Sequence, residues 1–310
     1  MRHRRAGPAH PDRTASRLTP SRARSPRGSR LRLRVGDVTL HLHSDEGFPL
    51  RLPAEMAAFH TTRGADIDVE VVRGGLPSPA SDPLFVSGGL WTVYRQGRRL
   101  LYLIREPVRG RAPLAALVID ETRSRGRLHL PEGAPFALHY PLDELLFQHH
   151  LARHGGMEVH AVGIAWKGRA LLFCGQSGAG KTTTARLWRR HRPPAEVLSD
   201  DRMIVRPRDG RLWAFGTPWH GSGRFASPRG LPLGGIYFLA RGRRSSLTPM
   251  PAPAAAAELF ARSFPPPWEV AGTTRVLDLC ARVAADVPCA RLRFRPDPSA
   301  VAAVLEGQPQ

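Results

Sequence analysis

The densest chemistry in this sequence lies in the run Gly175-Gln176-Ser177-Gly178-Ala179-Gly180-Lys181-Thr182, with Thr183 directly behind it. It fits the pattern G-x-x-x-x-G-K-[ST] at every fixed position. Glycines at that spacing let the backbone wrap a phosphate chain, so that its N–H groups and the following helix N-terminus point at negative charge. Lys181 would neutralise the outer phosphates and the Thr182 hydroxyl would ligate magnesium. The flanks agree: the apolar strand Arg169–Cys174 precedes the loop, and the helical stretch Lys181–Arg190 follows it. The expected ligand is a nucleoside triphosphate.

Asp200-Asp201 ends the next strand, nineteen residues past Lys181. Adjacent carboxylates beside a phosphate site repel each other unless a cation or a shared proton relieves them. They are therefore natural magnesium ligands, and one is free to act as base toward a hydroxyl. On its own an Asp-Asp-Arg run is a common surface turn; its register behind the glycine loop is what gives it meaning. His160 sits on the strand facing the loop strand, and Trp219-His220 lies in the Gly/Pro-rich run Gly216–Gly221. Spacing leaves either histidine as readily structural as functional. Arg224 and Arg229 follow, placed to contact a phosphate or simply solvated.

The elements that must position these residues read in order. Short strands are predicted at Leu31–Val35, Val38–His43, Ile67–Val72, Leu90–Tyr94, Leu100–Ile104 and Leu114–Ile119, separated by Gly, Pro, Asp and Arg clusters. A helix opens at Pro141, with Leu142, Leu145, Leu146 and His149 at helical spacing, and ends at Gly155-Gly156. Met157–Trp166, the turn Lys167-Gly168 and Arg169–Cys174 form a hairpin, so the strand entering the glycine loop should have an antiparallel neighbour. Three segments result: an Arg/Pro/Ser-rich tail over 1–30, a β-rich region over 31–140, and an α/β unit with a mixed sheet over 141–310.

Composition narrows the class. The chain has 310 residues, 42% of them hydrophobic, enough for one large domain or two modest ones. Its apolar runs are about five residues long, against the roughly 20 a membrane helix needs, and no apolar h-region follows the basic start. Three cysteines without a C-x-x-C pair point away from a disulfide framework and toward a reducing cytoplasm. The formal charge is +20, but residues 1–34 hold eleven arginines against the single acid Asp12, a net +10. Half the excess thus lies in a segment that cannot build a core, and the rest lacks the basic–aromatic interleaving of single-strand binders. Nucleic acid is accordingly not the expected partner. Of 46 basic residues only Lys167 and Lys181 are lysines. Lys181 stands where a compact ammonium is needed.

Taken together, His160-Ala161, Leu172–Thr182 and Leu198-Ser199-Asp200-Asp201-Arg202 resemble the catalytic domain of the HPr kinase/phosphorylase family. The likeness is closer to its stand-alone kinases in peptide-modification clusters, including those of lasso peptides. Pro141-Leu142-Asp143-Glu144-Leu145-Leu146 and Gly216–Gly221 share in the resemblance, which covers about residues 140–295. It implies the fold shared with ATP-dependent phosphoenolpyruvate carboxykinases, and magnesium-assisted transfer of the γ-phosphoryl group of ATP to a serine or threonine hydroxyl of a peptide or protein. It implies that His160 lies near the transferred phosphate and that Lys181 and Thr182 contact phosphate and magnesium. Asp200 and Asp201 match the pair supplying base and metal ligand; Asp200 is taken as base and Asp201 as ligand, although alternation along a strand leaves open which faces the phosphate. The 31–140 region does not resemble the N-terminal domain of true HPr kinases, and their downstream protein-binding signature is not found, which together put HPr itself in doubt as the acceptor. An ATP-binding regulator without catalysis and a small-molecule kinase are the competing readings, and a homo-oligomer is left open.

Overall fold

A computed structural model describes residues 28–45, 49–105, 112–134 and 138–307. The basic tail therefore lies almost wholly outside the described residues. The chain folds as a mixed α/β protein with two mixed sheets, the first built entirely from the N-terminal β-rich region.

That first sheet uses β1 (Ser29–Val35), β2 (Val38–Ser44), β3 (Ile67–Arg73), β4 (Pro83–Ser87), β5 (Trp91–Gln96), β6 (Arg99–Ile104), β7 (Ala115–Asp120) and β8 (Arg125–Leu130). The order is β1-β2-β3-β8-β7-β6-β5-β4. Only the β2–β3 and β3–β8 pairs are parallel. Alternation drives it: Leu31, Leu33 and Val35, then Leu40 and Leu42, then Ile67, Val69 and Val71 all point into one core. All six strands expected there form, within a residue or two. The reading missed β4, which starts on a proline and is half exposed, and β8, where Arg-Gly-Arg precedes the apolar residues.

Helix α1 (Leu142–Arg153) closes this core and is buried on nearly every side. Leu142, Leu145, Leu146, Phe147 and Leu151 share one apolar cluster with the first sheet, and Ile204, Phe215 and Trp219 from later in the chain join it. The two sheets thus meet through a common core. Charge reinforces the join: Glu269 accepts from Arg123 of the β-rich region and from Arg153 at the end of α1, at 2.5 Å each.

The second sheet begins with the expected hairpin, β9 (Met157–Trp166) and β10 (Arg169–Cys174). Its turn, Lys167-Gly168, has φ of +46° and +76°, the left-handed pair that matches strand twist in a two-residue turn. Then come α2 (Lys181–His191), β11 (Glu196–Ser199), β12 (Arg202–Arg208), β13 (Arg211–Gly216) and the twelve-residue β14 (Gly230–Arg241). The chain ends with β15 (Ser246–Pro249), α3 (Ala252–Phe260), α4 (Val270–Asp286), β16 (Cys289–Phe294) and α5 (Ser299–Glu306). The sheet order is β10-β9-β12-β13-β14-β16-β15, with β11 on β9 and a further parallel pairing of β10 with β14. The pairings β10–β9–β12–β13–β14–β10 close on themselves, because β14 pairs with β13 near its start and with β10 farther along. Helices α3 and α4 cover one face through Leu259, Val276, Cys280 and Val283. On the other face α2 and α5 bury Trp188, Val301 and Val304 against Phe173 and Val162. Among the described residues no helix is long and apolar enough to cross a membrane.

Candidate functional site

The glycine loop leaves the C-terminal end of β10, where Ala170–Cys174 are wholly buried. Left-handed backbone at Gly178 (φ +77°) and Gly180 (φ +104°) makes the turn into α2. At Gly180 glycine is required twice over, since a Cβ would also come within 2.5 Å of Phe294 Cζ. No side chain caps α2, so its first-turn amides remain unclaimed by a capping oxygen. Lys181 folds back under the loop, and its ammonium donates to the carbonyls of Gly175 (3.0 Å) and Gln176 (3.1 Å). Burial holds its pKa below the ordinary lysine value, against the opposing pull of Asp201. Thr182 Oγ1 stands 3.5 Å from Ser222 Oγ, across the opening.

Asp200 and Asp201 occupy the step between β11 and β12, and their side chains diverge. Asp200 is 1% exposed. Its carboxylate accepts from the backbone N–H groups of Gly221 (2.9 Å), Gly223 (2.7 Å) and Phe225 (3.3 Å). That loop can approach so closely because residue 223 is glycine: a Cβ there would lie 2.6 Å from Asp200 Oδ2. Asp201 turns to the other side and meets His160 Nε2 at 2.9 Å and Arg202 at 2.5 Å. The β9–β12 register, which sets Arg202 opposite His160, builds this contact. Burial raises the Asp201 pKa, but the hydrogen bond from His160 and the charge of Arg202 outweigh it and hold the carboxyl below its ordinary value.

Behind Asp201 runs a buried ionic cluster. Arg202 Nε lies 3.0 Å from both Glu144 of α1 and Glu158 of β9, and its guanidinium stacks on Phe264. Glu158 is fully buried, and burial together with the neighbouring Glu144 drives its pKa well up despite Arg202. A proton shared between the two glutamates would relieve that repulsion.

His160, Ser177, Gly178, Gly180, Lys181, Thr182, Thr183, Asp200 and Asp201 line one cavity of about 440 Å³, together with Gly221 and Ser222. The structure thus brings the loop, the acid pair and His160 into one pocket, within the usual size for a bound small molecule. Gly175, Gln176 and Ala179 shape the loop from behind. Trp219 does not enter: its indole N–H donates to buried Asp143 (3.0 Å) and its ring packs on Phe147. His220 lines a neighbouring cleft. Arg229 is spent on an exposed ion pair with Glu196, and neither it nor Arg224 lines the cavity. Sequence reasoning missed Ser222, whose Gly-Ser-Gly setting was its only signal. It also missed the Arg202–Glu144–Glu158 cluster, whose members come from three elements and share no motif.

The donor set suits a magnesium–triphosphate pair. Among the described residues no three His, Cys, Asp or Glu side chains form a self-sufficient metal cage. Magnesium, however, ordinarily keeps several waters and binds through one or two carboxylates and the substrate phosphates.

Strand, glycine loop, helix and acid pair meet in one cavity of the mixed sheet. A family model described as "SynChlorMet cassette protein ScmC" matches residues 144–272, a stretch that takes in most of α1, the loop, the acid pair and Glu269 but falls short of half the chain. Among solved structures, the Hpr(Ser) kinase/phosphatase from Coxiella burnetii matches at 11% identity and a TM-score of 0.30. That match covers 48% of this chain and 88% of the other, and a likeness so loose carries no argument by itself. The comparison with curated proteins gave no match.

Proposed function

We propose that this protein is an ATP-dependent kinase that transfers a γ-phosphoryl group to a serine or threonine hydroxyl of a peptide or protein. The observation that supports it best is the meeting of three independent groups in one cavity: the Lys181 loop, the Asp200-Asp201 pair and His160. Phosphoryl transfer needs positioning and charge neutralisation more than covalent chemistry, and these are what the residues supply. The loop amides, the first turn of α2 and Lys181 hold the phosphates. Lys181 is already desolvated, and its attraction for phosphate grows accordingly. Thr182 and Asp201 are the metal ligands, and magnesium when bound offsets the charge of the outer phosphates. His160 fixes the orientation of Asp201 and stands beside the transferred group. Asp200 is the base toward the acceptor hydroxyl, and the loop amides that hold it keep it in place for that role.

A binding-only regulator would need the glycine loop but not the paired carboxylates with their histidine. The test is incubation with γ-labelled ATP and candidate peptides, comparing wild type, Lys181→Ala and Asp200→Asn. Lys181→Ala should lose at least 100-fold in turnover with an unchanged circular-dichroism spectrum. Asp200→Asn should still bind nucleotide while transfer disappears. Turnover near the wild-type rate in Lys181→Ala would sink the proposal.

A further inference from the structure

A second, larger cleft of about 550 Å³ opens beside the phosphate cavity, and Asp201 lies on the wall of both. Three parts of the chain enclose it. Pro53, Glu55 and Met56 come from the short 3-10 helix Ala54–Phe59 of the β-rich region and the residue before it, Leu138, His139 and Tyr140 from the segment before α1, and Pro218, Trp219 and His220 from the Gly/Pro loop. Asp143, Glu144 and Arg202 complete the lining. Tyr140 is 61% exposed at the rim, an uncommon exposure for so large a ring.

Charge sets this cleft apart from the rest of the molecule. Four carboxylates line it (Glu55, Asp143, Glu144 and Asp201), and among the described residues its one permanent cation, Arg202, is already engaged with Glu144, Glu158 and Asp201. Residues 35–310 still carry a net +10 (the total +20 less the +10 of residues 1–34), so an acidic cleft runs against the sign of the rest of the chain. Asp143 gives an independent sign of a missing partner. It is 4% exposed; its Oδ2 accepts from the Trp219 indole, and among the described residues no side chain donates to its Oδ1. Buried polar atoms are seldom left so, and a donor arriving with a ligand would satisfy it.

We infer that this cleft seats the acceptor, and that the acceptor is a peptide with a basic residue and a bulky apolar residue beside its hydroxyl. The apolar side chain packs among Met56, Leu138 and Trp219, the basic one faces Glu55 and Asp143, and the hydroxyl reaches the phosphate cavity past Asp201. The inference rests on the kinase reading for the fate of the hydroxyl, but not for the binding.

The probes are two synthetic serine peptides of equal length, one carrying Arg and Leu beside the serine and one Glu and Leu. Binding to the full chain is measured by fluorescence anisotropy without nucleotide, at low salt and at 0.5 M salt. The basic peptide should bind at least about tenfold tighter at low salt, with the gap narrowing at high salt as exposed charges are screened. Glu55→Arg, a change on an exposed residue, should cut the preference about fivefold. Equal or reversed preference in the wild type overturns the inference, and so does a salt-independent gap. If Glu55→Arg does not fold, the salt series alone decides. The two readings fail separately: selective binding without transfer sinks the kinase, whereas transfer to both peptides alike sinks the acceptor cleft.

Discussion

Asp143 offers a sharp test, because its burial predicts a pH dependence of definite sign. It sits in the first turn of α1 beneath Trp219, and burial drives its pKa from 3.8 to about 6, against the opposing hydrogen bond from the Trp219 indole and the nearby amides. A carboxyl raised on folding binds its proton more tightly in the folded chain than in the unfolded one. Its contribution to stability is therefore complete below 3.8 and fades as pH rises through 6. One pH unit of difference corresponds to 1.36 kcal/mol, so the full contribution is about 3 kcal/mol, of which about 2 kcal/mol lies between pH 4.5 and 7.5. Asp143→Asn cannot ionise and can still accept from Trp219. Urea denaturation of both proteins at those two pH values isolates the effect in the double difference, since all other groups titrate in common. The variant should gain about 2 kcal/mol relative to wild type on going from pH 4.5 to 7.5. A double difference within about 0.5 kcal/mol of zero would refute the burial argument, and one of opposite sign would mean that Asp143 is held ionised in the folded protein.

Glu269→Ala should destabilise the fold by about 3 kcal/mol, because it strips the shared anion from Arg123 and Arg153 in a largely buried setting; chemical denaturation reads it. Gly223→Ala forces a methyl to within 2.6 Å of Asp200 Oδ2 and 2.8 Å of the Phe225 ring. It should lower stability by roughly 1–3 kcal/mol and, under the proposed kinase reading, slow phosphoryl transfer more than nucleotide binding, a split visible by comparing turnover with ATP titration. His160→Ala removes the leading favourable influence on Asp201, so the acid limb of the pH–rate profile should move to higher pH; an unshifted limb would mean that the pair does not govern the titrating step.

What the sequence made legible, and what it hid, divides along a physical line. The glycine loop was readable as a tight turn from strand into helix because left-handed backbone at Gly178 and Gly180 favours glycine, and local demands of that kind survive in a linear string. The β9–β10 hairpin was readable for the same reason, as Lys167-Gly168 can do little but turn. His160 stayed ambiguous until the β9–β12 register set it opposite Arg202, forty-two positions on, and so beside Asp201. The divergent orientations of Asp200 and Asp201 depend on the Gly221–Phe225 loop, whose approach is a tertiary fact. Buried Glu158 reads along the strand as one polar residue in an apolar run; only α1 supplies Glu144, and only β12 supplies Arg202. The β-rich region showed its strands by alternation but not its purpose, since the cleft it helps to wall draws Pro53, Glu55 and Met56 from a 3-10 turn with no pattern at all.

The closed circuit of pairing through β14 bears on how the molecule keeps to itself. β10, the strand that delivers the glycine loop, has both edges occupied, by β9 along Arg169–Cys174 and by β14 along Ala170–Cys174. Foreign strands add to unpaired backbone, and among the described residues of this sheet that invitation lies at its margins, on β11 and β15, each four residues long. Among the described residues, the strand that delivers the glycine loop thus offers no free edge for intermolecular β-addition, and an aggregating partner would have to open the circuit before it could reach β10.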